Sequence, residues 1–233
     1  MPETKCPSSI ILVSGGMDSL VCAAIAAKSD PNMAFLHLNY GQKTEKKERA
    51  AFHAIADFYK VPEALRKEID ISFLSQIGGS SLTDSKISVK KYKGETGEIP
   101  DSYVPFRNTH IISIAVSWAE ILGAREIYIG AVYEDSSGYP DCRPEYYDAI
   151  NNLIRVGTKK GNISVTTPVI TMSKDQIVKK AIELFAPLEL TWSCYAREDQ
   201  ACGVCDSCAL RLKAFQTAGI DDPLDYKVRP RYQ

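Results

Sequence analysis

The sequence predicts an α/β fold, a doubly wound parallel sheet of five strands with a small C-terminal helical module. Three observations carry the prediction. Short apolar runs rich in β-branched residues alternate with stretches of helical period, a pattern that argues for a parallel sheet covered on both faces. A glycine pair, Gly15–Gly16, stands where the first run ends and the first helix begins, at the carboxyl end of a strand, where such folds bind ligands. Four of the seven cysteines fall within fifteen residues, 194–208. The expected division is an α/β domain over 1–190 and a cysteine module over 191–233.

The elements follow in order. SSIILV (8–13) reads as a buried strand running into a turn, with a helix over Leu20 to Ala27 behind it. MAFLHLNY (33–40) is a second strand, and the charged stretch after it places Ala51, Ile55 and Phe58 at helical spacing. ALRKEIDI (64–71) is a third strand. Residues 78–102 are rich in glycine, serine and charge without a sustained period, and read as a long mobile loop of the kind that forms lids. A helix over Thr109 to Leu122, a fourth strand EIYIGAV (126–132), a helix opening near Pro144 and a fifth strand NISVTTPVI (162–170) complete the alternation. Ser173 and Gln176 have capping-box spacing, and the helix they open stops before Pro187.

Composition narrows the function. With 233 residues and 45% hydrophobic side chains, the chain can bury a core of its own. A net charge of −1, from 28 basic and 29 acidic residues, argues against a broad nucleic-acid footprint. No apolar run approaches the roughly 18 residues of a membrane span, and the polar start MPETKCPSS lacks the order of a signal peptide. A cytoplasmic protein without a membrane partner is expected, and in that reducing compartment clustered cysteines point to metal.

Val13, Ser14, Gly15, Gly16, Met17, Asp18 and Ser19 join the first strand to its helix. They offer backbone N–H groups and two hydroxyls around one anion site at a helix N-terminus, which suits a pyrophosphate. Asp18 either caps the helix or holds Mg²⁺ against the phosphates. No lysine ends the loop, unlike a Walker loop.

Cys194, Cys202, Cys205 and Cys208 form a C-x7-C-x2-C-x2-C set that suits tetrahedral Zn²⁺, and four sulfur ligands would make the site structural. An Fe–S cluster is the competing reading; Ala209 follows Cys208 where ferredoxins commonly carry proline, which favours zinc.

SGGMDS matches the SGGxDS signature of the PP-loop ATP pyrophosphatases, which adenylate a substrate and release pyrophosphate. That leaving group explains the missing Walker lysine. With VPFRNTHIISIA (104–115), EDSSGYPDCRPEY (134–146) and TWSCYAREDQACGVCDSCALRLKAF (191–215), nearly the whole chain resembles the 7-cyano-7-deazaguanine synthases of that superfamily. The resemblance implies an adenine nucleotide alpha hydrolase-like fold and conversion of 7-carboxy-7-deazaguanine to the nitrile with ammonia and ATP. The route runs through an acyl adenylate, an amide and a second activation, serving queuosine or archaeosine synthesis. It also implies a homodimer.

Under that resemblance, Asp18, Arg107 and Lys174 are the candidate catalytic residues. Arg107 would pair with the substrate carboxylate or a phosphate, and Lys174 would stabilise the transferring phosphate. Asp141 is a candidate acceptor for the deazaguanine N1–H and amine, Tyr139 and Trp192 are candidate stacking surfaces, and Arg143 is a further candidate contact. Lys43 and Thr44 stand where many relatives carry an Arg-His pair, so no histidine is available there, and His37, His53 and His110 are expected to be structural. The alternative function is a PP-loop tRNA-modifying enzyme such as a thiolase.

Overall fold

The computed structural model describes residues 6–94, 98–133 and 139–232. Residues 134–138, ahead of Tyr139, and 95–97 of the expected loop lie outside the described residues. Five parallel strands, β1 (Ser9–Leu12), β2 (Ala34–Asn39), β3 (Arg66–Asp70), β4 (Glu126–Tyr128) and β5 (Ser164–Thr166), form one sheet in the order β3-β2-β1-β4-β5. Helices α1 (Met17–Ser29), α2 (Glu45–Phe58), α3 (Arg107–Leu122), α4 (Pro144–Gly157), α5 (Lys174–Glu183) and α6 (Asp206–Ala218) cover it.

The period-2 pattern of the strands sorts the helices. Ile11, Val13 and Phe35 belong to a core with α1, α2, α5 and α6, whereas Ile10, Leu12, Leu36 and Ile127 pack with α3 and α4 on the opposite face. Burying one such side chain contributes about 1.5–3 kcal/mol, more than the ~0.7 kcal/mol that separates ordinary residues in helix propensity. The two-faced strands therefore organise the fold.

Several boundaries differ from expectation. α1 begins at Met17, directly after its N-cap Gly16, so Asp18 lies in the first turn and does not cap the helix. α3 likewise begins two residues early, at Arg107, and ends on Gly123 at φ +74°. The ladders of β4 and β5 are three residues each, shorter than their apolar runs, and beyond Tyr128 the chain from Ile129 to Val132 lines a cleft. α6 was anticipated only as part of a helical module; buried Arg211 interrupts its apolar stripe. At α5, the Ser173 N–H donates to Gln176 Oε1 at 3.0 Å, as the capping-box spacing predicts.

The described residues of the expected loop form neither helix nor strand. Its described parts are fastened: the Lys43 N–H donates to the Leu82 carbonyl (2.9 Å), the Ser81 N–H to Asp101 (2.7 Å) and the Tyr92 N–H to Val204 (2.8 Å). Ser80 and Ser81 are buried outright, so small polar residues that look like linker satisfy backbone groups inside the protein. Among the described residues, no helix is long and apolar enough to cross a membrane.

Candidate active site

The strand order reverses between β1 and β4, and the crevice at the carboxyl ends of those strands is where such sheets bind ligands. The Ser14–Ser19 loop occupies it. Gly15 has φ +87°, and a Cβ there would stand 2.7 Å from the Glu48 carbonyl, so only glycine lets the loop lie on α2. From the other side, a Cβ on Gly130 would meet Asp18 C and Ser19 N at 2.7 Å. The loop is also tied internally, with the Gly16 N–H donating to Ser14 Oγ (3.3 Å) and the Ser19 hydroxyl to the Gly16 carbonyl (2.9 Å).

A cleft of about 270 Å³ opens above it. Of the sequence-derived candidates, Val13, Ser14, Gly16, Met17, Asp18, Ser19, Arg107, Tyr139, Lys174 and Trp192 line this cleft together. At one pole, Lys174 Nζ meets Asp18 Oδ2 at 2.6 Å, and Asp18 Oδ1 is buried without a hydrogen-bond partner among the described residues. At the other, Arg107 donates to Tyr40 Oη (3.2 Å) and lies over its ring, while its buried Nε has no partner among the described residues. Tyr139 reaches the cleft with its hydroxyl bonded to Ser102 Oγ at 2.7 Å. Trp192 is 5% exposed, donates from Nε1 to the Cys194 carbonyl (3.1 Å) and carries Lys47 over its ring, which limits it as a stacking surface.

Three candidates stand differently. Gly15 is turned onto α2. Asp141 is buried beside the cleft, its Oδ2 accepting the Asn108 N–H at 3.2 Å, so it caps the start of α3. Burial raises its carboxyl and the Arg107 guanidinium opposes that rise. Arg143 is exposed at the N-cap position of α4 and does not line the cleft. The histidines are elsewhere: His37 Nδ1 bonds the Val13 carbonyl at 2.9 Å, His53 contacts Glu68, and His110 packs against Phe73 and Phe106.

Sequence reasoning missed Glu48, Tyr40, Asn108 and Tyr195, all of which line the cleft, and left Cys142 without a role. Glu48 accepts from the Thr44 hydroxyl (2.7 Å) and from Gln42 Nε2 (3.1 Å), and burial pushes its carboxyl up to about 7. A signal existed: Glu48 precedes Ala51 and Ile55 by three and seven residues and so continues their inward stripe by one turn.

The four cysteine sulfurs all lie within 4.8 Å of one another. A tetrahedral zinc with bonds of about 2.3 Å places its sulfurs about 3.8 Å apart, and Cys202 and Cys208 stand at 3.9 Å. A four-iron cluster, whose cysteines bind separate irons, spreads its sulfurs more widely. Backbone N–H groups of Ala196 and Cys202 aim at Cys194 Sγ (3.4 Å each), and those of Val204 and Cys205 at Cys202 Sγ (3.4 and 3.3 Å). Such donors favour thiolates, so the residues fit a single bound metal.

A family model described as queuosine biosynthesis protein QueC matches residues 8–219. The chain belongs to the QueC family. It is 56% identical over 225 residues to a 7-cyano-7-deazaguanine synthase of Chloroherpeton thalassium, covering 96% of this chain and 99% of that one. A 7-cyano-7-deazaguanine synthase of Chlorobium phaeobacteroides is likewise 56% identical over the same shares. Among solved structures, the NH3-dependent NAD synthetase of Campylobacter jejuni is similar at TM-score 0.47 and 14% identity, over 78% of this chain and 66% of that one. The U34-tRNA thiolase NcsA of Methanococcus maripaludis is similar at TM-score 0.47 and 16% identity, over 77% and 56%.

Proposed function

We propose that this QueC-family enzyme is an ATP-dependent C–N ligase that converts 7-carboxy-7-deazaguanine and ammonia to 7-cyano-7-deazaguanine. The observation that carries the reading is one cleft lined both by an anion loop with Asp18 and Lys174 and by Arg107, whose buried Nε has no partner among the described residues.

In this reading the loop N–H groups of 14–19 receive the phosphates at the N-terminus of α1, and Lys174 neutralises charge on the departing pyrophosphate. Arg107 holds the substrate carboxylate through its planar fork. One carboxylate oxygen attacks the α-phosphorus, and pyrophosphate leaves. Ammonia displaces AMP from the acyl adenylate to give the amide. Adenylation of the amide oxygen by a second ATP then makes that oxygen a leaving group, and loss of AMP with two N–H protons leaves the nitrile. Asp18 Oδ1 is the oxygen this chain offers to a Mg²⁺ accompanying ATP. Tyr139 bounds the deazapurine, and Asp141 acts by fixing α3 and with it Arg107.

Residues 191–233 form the zinc-stabilised module, with Cys194, Cys202, Cys205 and Cys208 as ligands; bound zinc would cross-link the segment and supply no reacting atom. A tRNA thiolase carrying an Fe–S cluster at these cysteines is disfavoured by the sulfur spacing. The reading takes a soluble homodimer acting on small molecules.

Incubation with ATP, Mg²⁺, ammonium and 7-carboxy-7-deazaguanine should yield AMP, pyrophosphate and the nitrile by mass. ADP and phosphate as the only nucleotide products would overturn adenylation.

A further inference from the structure

The proposed reaction has a proton problem. At neutral pH ammonia is present mostly as ammonium, which has no lone pair with which to attack an acyl carbon. A group in the cleft must bind a small cation and accept its proton.

Most titratable groups lining the cleft are unsuited. Asp18 is engaged by Lys174 at the phosphate pole. Burial pushes the Cys142 thiol up to about 11 and the Tyr40 phenol up to about 12, so both are already protonated. Asp206, at the start of α6, faces Lys90 and Asp101. Glu48 remains. It makes no ion pair among the described residues, and each of its carboxylate oxygens accepts one neutral donor, the Thr44 hydroxyl on Oε1 and the Gln42 amide on Oε2. The charged and titratable groups facing it are Arg107 on α3, Tyr40 beyond β2, and Glu198 in the cysteine segment. Glu198 is committed to the Lys46 and Lys47 N–H groups at 2.9 and 3.4 Å.

We infer that Glu48 binds ammonium in the cleft and takes its proton, delivering ammonia to the acyl carbon activated beside Arg107. The inference rests on the function proposed above. One N–H bond of ammonium breaks, its electron pair stays on nitrogen, and the proton forms an O–H bond on Glu48. The nitrogen pair then forms the C–N bond, and the C–O bond to AMP breaks with its electrons on the phosphate oxygen. The second surplus N–H proton leaves with AMP or solvent, and Glu48 returns its own to water at the cleft mouth. A carboxyl raised to about 7 is matched to this exchange at neutral pH.

The test separates adenylation from ammonia use. Carboxylate-dependent exchange of labelled pyrophosphate into ATP reports the first half-reaction. Hydroxylamine, largely uncharged at neutral pH, traps the acyl adenylate without needing a base for a cation. Glu48→Gln should keep both near the parent level while amide formation from ammonium falls about 100-fold or more. Ammonium use equal to the parent, or an equal loss of exchange and hydroxamate, would overturn the inference. A measurement on the unaltered protein guards against a variant that fails to fold. At sub-saturating total ammonium, amide formation should level off above about pH 7, whereas a rate that climbs with free ammonia across the whole range would refute a protein-borne acceptor. No exchange in the parent protein would overturn the functional reading, and this inference with it.

Discussion

Lys174 and Asp18 lie 156 residues apart in the chain and meet through an ion pair of 2.6 Å. Lys174 is the first residue of α5, where the helix dipole disfavours a cation. Asp18, in the first turn of α1, supplies the countercharge and aims the ammonium into the cleft.

Lys174→Ala should therefore lower carboxylate-dependent pyrophosphate exchange by about 100- to 1,000-fold, since it removes a phosphate partner and leaves the Asp18 charge facing the phosphates. Asp18→Ala should lose turnover as well. Metal content should match the parent in both variants, since neither residue touches the cysteine cluster. Unchanged exchange in Lys174→Ala would remove the lysine from the phosphate site.

Cys205 is buried at the N-cap position of α6 and lies close to the other three sulfurs. Its replacement by serine should release the metal and destabilise the surrounding segment together, because Cys205 is both a ligand and a member of the small apolar cluster that this segment forms with Trp192 and Leu212. Metal analysis of the purified variant, alongside its solubility and urea midpoint, checks this. A metal-free Cys205→Ser protein with full activity would sink the structural role.

Arg211 and Asp222 join α6 to the C-terminal tail through two bonds of 2.8 and 2.9 Å, with both side chains about 2% exposed or less. Arg211 also donates to Thr191 Oγ1 at 2.6 Å, just ahead of Trp192 and the cysteine segment. Asp222→Ala strands a buried cation and should cost about 3–5 kcal/mol. The double replacement Arg211→Met with Asp222→Leu should recover much of that loss, which urea unfolding of both proteins would show.

Glu48 makes stability depend on pH with a definite sign. Its carboxyl rises from 4.5 to about 7 in the fold because of burial. Between those values the folded protein holds a proton that the unfolded chain has released, so this group's contribution to stability falls as pH rises through that window. Glu48→Gln removes the slope. Relative to the parent, its urea midpoint should gain progressively from acid to above about pH 7; parallel pH profiles for the two proteins would contradict the shift.

The alternation of β-branched runs and helical stretches pointed to the five-stranded parallel sheet, because strands such as SSIILV and MAFLHLNY carry apolar residues for both faces and the helices between them cover those faces. Local spacing likewise determined the Ser14–Ser19 loop and the four-cysteine set, because each is a contiguous motif whose chemistry needs few long-range partners. What only the tertiary structure decided is where distant segments meet. It set Lys174 on Asp18, turned Asp141 into a cap for Asn108, left Arg143 outside the cleft, and drew Glu48 out of a lysine-rich stretch into it. The same packing fastened the described parts of 78–102, which composition had marked as loose. Those outcomes depend on packing across the sheet and on how burial shifts charge, and neither quantity is written into any local stretch of residues.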